Sequence, residues 1–209
     1  MSEQSLQEQL QQVRRNHILD AAVAVISERG FQRTTIKQIA KKAGVADGTI
    51  YNYFDNKAAI MTAIVSRATE GERRGLDFAH AAQTDFATFV RDYIPKRMRE
   101  VDEMMPTLKI IISETMSDAA LRDQINETVY GPMFAVAEMY IQHLMDDGQI
   151  PAGDPKLFTR MMATPIFGLL MLRLSGDEHV IANWEAYGEA VAEQLAGLMN
   201  ASRPRSNTT

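Results

Sequence analysis

Two short amphipathic segments separated by a glycine, between Thr34 and Lys57, constrain the fold of this chain more than any other part of the sequence. In the first segment, apolar residues recur at helical spacing on one face and lysines occupy other positions. The apolar residues are Ile36, Ile39, Ala40 and Ala43, and the lysines are Lys37, Lys41 and Lys42. Gly44 predicts the end of this helix, because glycine readily adopts the left-handed conformation that closes a helix C-terminus.

The residues after this glycine predict a second short helix with an unusual outer surface, from Asp47 to Phe54. Ile50 and Phe54 lie four residues apart, which places both on one buried face. The positions that then face outward are Asp47, Gly48, Thr49, Tyr51, Asn52 and Tyr53. Hydroxyl and amide groups bond to phosphate oxygens and base edges, so this surface suits the major groove of DNA.

The two segments together resemble the helix-turn-helix of the TetR (tetracycline-repressor) family of bacterial transcription regulators. The matching residues are Thr34-Thr35, Ile39-Ala40, Ala43-Gly44-Val45, Gly48-Thr49-Ile50-Tyr51, Tyr53-Phe54 and Asn56-Lys57. The resemblance implies phosphate contacts from Thr35, Tyr53 and Lys57. It also implies base or groove-edge contacts from a second set, which is Asp47, Gly48, Thr49, Tyr51 and Asn52.

The sequence departs from the family where the second helix begins, because Ala46 stands in place of the usual serine cap. Losing that cap costs about 1 kcal/mol of local helix stability. Two roles remain open for Asp47. It either caps the helix, which turns its carboxylate away from DNA, or faces the groove and accepts from a donor such as cytosine N4.

Charge is distributed unevenly along the chain, whose net charge is −5. Residues 13–57 hold eight lysines and arginines against four acids, whereas residues 61–209 hold fourteen against twenty-one. A basic end on an acidic body orients the molecule toward phosphate. Arg14 and Arg15 are either solvated or reach the DNA beside this end.

Composition and motifs favour a cytoplasmic protein that is not an enzyme. The absence of cysteine excludes disulfides and thiolate metal sites. The polar N-terminus has no signal segment, and the apolar stretch from Met161 to Leu172 is too short to span a bilayer. The four histidines form no metal motif, and phosphate-loop and nucleophile motifs are missing. We therefore expect no metal, no cofactor and no membrane partner, and we interpret Glu114 and Asp118 as a solvated pair.

The periodicity predicts helices throughout and no strands. After an arm of residues 1–12, which is flexible or extends the first helix, helices are expected to Arg29, at 34–43, at 47–54 and from Lys57 to Ala82, the last softened by Gly71 and Gly75. Further helices are expected at 85–104, 107–116, 118–145 with an interruption at Gly131-Pro132, 156–174 and 179–199. The predicted fold is all-α, with an N-terminal three-helix helix-turn-helix DNA-binding domain (1–56), a C-terminal helical ligand-binding and dimerisation domain (57–201) and a disordered tail (202–209).

The last two helices carry more apolar surface than one chain requires. Such a pair can meet its symmetry mate in a four-helix bundle, which is where the resembled family dimerises. The residues expected at a homodimer interface are Phe167, Met171, Trp184, Tyr187, Val191 and Leu195. A dimer presents two recognition helices about one helical turn apart, which matches a palindromic operator.

Methionine and aromatic residues in the second half of the chain either fill the core or line a pocket for an effector. The candidate ligand-binding residues are Phe89, Tyr93, Met105, Met116, Met133, Phe134 and Met162. The resemblance favours the pocket, and the scarcity of internal charge favours a small, largely apolar ligand. The predicted function is a DNA-binding transcriptional regulator, a repressor released from its operator by such a ligand through the fourth helix. The alternatives are a DNA-bound architectural or protein-recruiting factor without an effector and a helical enzyme.

Overall fold

A computed structural model describes residues 3–69, 81 and 84–200 of the chain. Within these ranges every regular element is helical, which confirms the predicted all-α fold class. The helices are α1 (Glu3–Arg29), α2 (Ile36–Ala43), α3 (Asp47–Tyr51), α4 (Lys57–Thr69), α5 (Phe86–Glu103), α6 (Met105–Ser117), α7 (Ala119–Ile125), a π-helical turn (Asn126–Tyr130), α8 (Gly131–Asp146), α9 (Pro155–Leu174), α10 (Glu178–Ala182) and α11 (Trp184–Asn200).

The chain divides into two compact units. The first unit comprises Met1–Glu70 and Pro106–Tyr130, and the second comprises Gly71–Met105 and Gly131–Thr209. The first unit therefore contains α1 to α4 together with nearly all of α6, α7 and the π-helical turn. The predicted continuation of α4 through Gly71 and Gly75, like the predicted tail at 202–209, lies outside the described residues.

The core of the first unit forms where the apolar faces of its helices meet. α1 ends at Arg29, as predicted, but it already begins at Glu3, so the described part of the arm is helical. Side chains from four helices are 2% exposed or less, namely Ile18, Leu19, Ala22, Ile26, Ile39, Ala40, Ile50, Ile60, Met61, Ile64 and Val65. Phe31, in the turn after α1, is 4% exposed and completes this core. Burial of such side chains is the main stabilising term of a small helical unit.

The core of the second unit depends on close packing between α5 and α11. The indole Nε1 of Trp184 donates a hydrogen bond of 2.7 Å to the carbonyl of Met98. One turn later, a Cβ at Gly188 would lie 3.0 Å from Cγ of Met98, so the missing side chain lets the helices approach. Val191 and Leu195 continue the buried stripe along α11.

Three helices differ from the sequence prediction. The helix predicted over 47–54 is α3, which ends at Tyr51 with Asn52 as its C-cap. The predicted helix over 179–199 is divided at Asn183, whose side chain donates to the carbonyl of His179, and Asp177 caps the short α10 through the backbone N–H of Val180. The predicted break at Gly131-Pro132 is instead the π-helical turn. Pro132 has no N–H to donate to the preceding turn, which favours a local departure from α-helical bonding there.

Candidate functional site

Thr35 fixes the start of α2 through a reciprocal cap. The backbone N–H of Gln38 donates to Oγ1 of Thr35 at 3.3 Å, and the backbone N–H of Thr35 donates to Oε1 of Gln38 at 2.9 Å. Such a capping box satisfies two helix-terminal donors at once. The Thr35 side chain remains exposed, and its hydroxyl hydrogen is still available to an external acceptor.

Gly44 sets the angle between α2 and α3, as the sequence predicted. Its backbone is left-handed, with φ +65° and ψ +31°. The N–H of Val45 donates to the carbonyl of Ala40 at 3.0 Å, which closes the helix. His17 adds a tie that the sequence did not suggest, because its Nε2 lies 2.9 Å from the carbonyl of Ala43 and bonds α1 to the end of α2.

The outer surface of α3 is open, as a groove-reading helix requires. Tyr51 is 56% exposed, while Ile50 beside it is fully buried in the core. Asp47, Gly48 and Asn52 are also exposed, and Thr49 is half-buried. No side chain caps α3 at Ala46 in the part of the chain that the structure describes, so Asp47 does not replace the missing serine.

The structure places Tyr53 beside this surface and turns Lys57 inward. Tyr53 is half-buried, with its ring centroid 6.5 Å from that of Phe54. The Lys57 ammonium donates to the carbonyls of Phe31 at 2.6 Å and Gln32 at 3.2 Å, and it lies 4.4 Å from the centre of the Phe31 ring. Burial lowers the pKa of Lys57 from its ordinary value, and Glu114 and Asp118 act in the opposite direction.

Positive charge surrounds the helix-turn-helix. The exposed basic side chains between α1 and the end of α2 include Arg14, Arg33, Lys37, Lys41 and Lys42. Arg15 is half-buried, with its guanidinium 5.1 Å from the centre of the Phe54 ring. This arrangement offers a phosphate backbone several cations around one polar helix.

The second unit contains an aromatic cluster that includes two of the candidate ligand-binding residues. Phe89 stacks on Tyr93 at 5.0 Å between ring centroids, and Phe89 and Tyr140 form a T-shaped pair with their centroids 5.4 Å apart. Burial raises the pKa of Tyr140 to about 12, with a smaller contribution from Asp85. Tyr140 was absent from the sequence-based set, although it lies two helical turns after Met133 on the same face of α8.

The other candidate ligand-binding residues are dispersed. Met105, Met133, Phe134 and Met162 are half-buried. The guanidinium of Arg160 lies 4.1 Å from the centre of the Phe134 ring and pairs with Glu138. Met116 lies in the first unit and is 78% exposed, so its surroundings differ from those of the aromatic cluster.

The candidate dimer residues fall into two groups. Phe167 and Met171 on α9 are 50% and 41% exposed. Trp184, Val191 and Leu195 are instead buried in the interior of the second unit. Tyr187 is half-buried, with its hydroxyl 3.1 Å from Nδ1 of His179.

α9 has an exceptionally apolar exposed surface. Its length and composition would allow it to cross a membrane, and only 17% of its most apolar 18 residues are buried within the chain. Besides Phe167 and Met171, the exposed apolar residues on it are Leu157, Met161 and Leu172. A patch of this kind marks an interaction surface on a folded protein.

Comparison with known proteins extends these observations. Residues 18–64 match the family described as "Bacterial regulatory proteins, tetR family". The fatty acid metabolism regulator protein of Bacillus subtilis (strain 168) is 55% identical over 47 residues, which are 22% of this chain and 24% of that protein. The HTH-type transcriptional regulator UidR of Escherichia coli (strain K12) is 24% identical over 193 residues, covering 90% of this chain and 94% of UidR.

A solved structure shares the fold along most of the chain. The transcriptional regulator FadR from Bacillus subtilis, in complex with stearoyl-CoA, superposes with a TM-score of 0.68 at 26% sequence identity. The match covers 87% of this chain and 97% of that chain, so it includes both compact units.

Among the described residues, no group of three histidines or acids could hold a metal ion.

Proposed function

Because the chain is a transcriptional regulator of the tetR family of bacterial regulatory proteins, we propose that it represses transcription from a palindromic operator and leaves that operator when a small, largely apolar ligand binds. The observation that carries this proposal is the outer surface of α3. Tyr51 and Asn52 are exposed there on a helix whose other side, at Ile50, is fully buried. A short helix anchored in this way presents hydroxyl and amide groups to base edges.

Contacts to DNA are divided by chemistry. We assign groove-edge contacts to Asp47, Gly48, Thr49, Tyr51 and Asn52, and phosphate contacts to Thr35 and Tyr53. A Cβ added at Gly48 would meet no heavy atom within 4 Å, so that side of α3 is free for close approach. The exposed Asp47 carboxylate can accept from cytosine N4 and repels phosphate, which favours binding only in one register.

A homodimer would present two copies of the α3 surface, which match the two half-sites of a palindromic operator. We place the interface on α9, through the exposed Phe167 and Met171, with Tyr187 of α11 beside it. Trp184, Val191 and Leu195 serve the core of the second unit and support this surface from within. Two α9 faces packed against each other remove from water the apolar patch that a single chain exposes.

The effector site that we propose lies in the second unit, around Phe89, Tyr93 and Tyr140. These rings supply apolar faces, and Met133, two helical turns before Tyr140 on α8, has a flexible side chain that adapts to an apolar ligand. The FadR structure of Bacillus subtilis was solved with stearoyl-CoA, which supports a ligand that has a long apolar part. The ligand weakens DNA binding if it prefers the form whose recognition helices are wrongly spaced.

DNA binding is tested by selection from random duplexes with the full-length protein, followed by titration of the enriched duplex. We expect an inverted repeat, tight binding by the wild type and a loss of base preference in Asn52→Ala. Gln194→Ala is the matched control, because it removes an exposed amide from the second unit. Enrichment of no sequence, or an equal effect of the two substitutions, would refute the assignment of α3.

Release by a ligand is tested on the same duplex with stearoyl-CoA, stearate and free coenzyme A. We expect the compounds with an acyl chain to raise the dissociation constant for DNA, and coenzyme A to leave it unchanged. Release by coenzyme A alone would contradict a largely apolar ligand. An unchanged dissociation constant with all three probes would favour a regulator that responds to a partner protein.

A further inference from the structure

Two acids at the corner between α6 and α7 contact the turn that precedes the helix-turn-helix. The carboxylate oxygen Oε1 of Glu114 accepts a hydrogen bond of 2.9 Å from the backbone N–H of Phe31. Oδ2 of Asp118 accepts one of 2.6 Å from the side-chain amide of Gln32. We call Glu114 and Asp118 the acidic corner.

The acidic corner is itself held in place by its own backbone. The N–H of Asp118 donates to the carbonyl of Glu114 at 2.9 Å, and the second carboxylate oxygen of Asp118 caps α7 through the N–H of Leu121 at 3.0 Å. Asp118 therefore bonds in two directions at once, to its own helix and to Gln32. Both carboxylates belong to the first compact unit, together with the DNA-binding helices.

Lys57 holds the same turn from the side of its carbonyls. Its ammonium bonds to the carbonyls of Phe31 and Gln32 and lies over the Phe31 ring. The peptide groups of Phe31 are thus bound on both polar sides, the N–H by Glu114 and the carbonyl by Lys57. Hydrogen bonds with a charged partner are stronger than neutral ones, so this turn is unusually well fixed.

The turn between α1 and α2 determines where α2 begins. Five residues after Gly30 the chain reaches the capped Thr35, and Thr34 is 2% exposed with its hydroxyl donating to the carbonyl of Gly30 at 2.8 Å. Gly30 has a φ of +77°, and a Cβ there would lie 3.6 Å from Oε1 of Glu114, at ordinary contact distance. The backbone that leads into α2 therefore has little freedom while the acidic corner is in place.

We propose that the acidic corner and Lys57 are positioning residues for DNA binding: they fix the turn before α2 and so hold α2 and α3 in the orientation that fits the groove. On this proposal Lys57 binds the turn before α2 and does not contact phosphate, although the family resemblance implies a phosphate contact. Two of the three donors of its ammonium are already used by the turn. The inference rests on the proposed function, because it takes α3 as the DNA-reading helix.

The test compares full-length Glu114→Gln with Glu127→Gln, an exposed acid of the same unit that loses the same charge. Removing an acid near DNA should by itself strengthen binding. We expect the opposite for Glu114→Gln: about tenfold weaker binding of the selected duplex, with faster hydrogen exchange at the Phe31 amide. Equal affinity of the two variants, both still folded by circular dichroism, would overturn the proposal.

A second measurement concerns Lys57→Gln and the dependence of DNA affinity on salt. Loss of one phosphate contact lowers the slope of log affinity against log salt by about 0.9. We expect weaker binding with an unchanged slope, and a slope that falls by that amount would overturn the proposal. If Glu114→Gln does not fold, Gln32→Ala removes only the bond to Asp118 and is expected to weaken binding about twofold to threefold. Wild-type binding of a selected duplex is established first, so failure of the proposed function is distinguished from failure of this inference.

Discussion

The exposed surfaces of α3 and α9 differ in both size and chemistry. α3 is five residues long, buries Ile50 and exposes hydroxyl, amide and carboxylate groups. α9 is twenty residues long and exposes Leu157, Met161 and Phe167. Polar groups at fixed positions suit base edges, whereas a broad apolar face suits a second apolar surface. On the proposed function, the first surface contacts DNA and the second contacts a second copy of the chain.

The largest expected effect comes from placing charge on the apolar surface. Phe167→Glu combined with Met171→Glu should raise the dissociation constant of the proposed dimer at least about 100-fold. Burying an unpaired carboxylate in an apolar interface has a large free-energy cost. Sedimentation velocity over a range of concentrations measures this effect. Ala120→Glu, at an exposed position of the first unit, is the control. A double variant that sediments like the wild type would remove α9 from the interface.

Truncation of the polar surface should act on DNA binding alone. Tyr51→Ala is expected to weaken binding of the selected duplex by about 10- to 100-fold, in line with 1–3 kcal/mol for a good base contact. The side chain is 56% exposed, so the free energy of unfolding should change little. Fluorescence anisotropy and urea titration measure the two quantities. A loss of stability that parallels the loss of affinity would contradict a surface role for Tyr51.

Alanine substitutions at Gly44 and Gly188 distinguish the cost of backbone strain from the cost of overpacking. Gly44→Ala should cost about 1 kcal/mol of unfolding free energy, since its φ is +65° and no atom lies within 4 Å of an added Cβ. Gly188→Ala gains helix propensity but brings a methyl to 3.0 Å from Met98, so overpacking of about 1–3 kcal/mol opposes that gain.

The combination with Met98→Ala distinguishes the two glycines. That substitution removes Cγ, the nearest atom to the added Cβ of Gly188→Ala, and should relieve part of its cost. It should leave the cost of Gly44→Ala unchanged, because the strain there lies in the backbone. Urea unfolding of the single and double variants measures both couplings, and equal couplings would contradict the distinction.

The smallest expected effect concerns the uncapped start of α3. Ala46→Ser should raise the free energy of unfolding by about 0.5–1 kcal/mol, because the extended backbone at Ala46 already has the conformation of a helix cap. DNA affinity should stay within about twofold of the wild type. A destabilised variant would mean that the serine hydroxyl does not reach the free N–H groups of α3.

Local signals predicted the helix-turn-helix well, since the features that define it lie within a few residues of one another. The stop at Gly44 follows from the left-handed conformation that glycine adopts, and the buried Ile50 and exposed Tyr51 follow from helical spacing. The predicted resemblance is confirmed by the family match over residues 18–64, and the all-α fold class is confirmed by the helices of the described residues.

Tertiary contacts were less predictable. Glu114 and Asp118 have the spacing of a solvated pair, and nothing local reveals that Phe31 and Gln32 donate to them. On α11 the apolar stripe that includes Trp184 is buried inside its own unit. An apolar stripe in a sequence predicts burial, but it does not distinguish burial within the chain from burial in a dimer. The division of the last helix at Asn183 depends on a side-chain bond to His179 that competes with helix continuation.

The most direct test of the central claim is the base preference of the wild type and of Asn52→Ala, measured by sequencing duplexes selected from one random library. We expect an inverted repeat from the wild type, and a change confined to the same one or two positions of each half-site in the variant. An unchanged preference together with a uniform loss of affinity would contradict the reading of bases by α3.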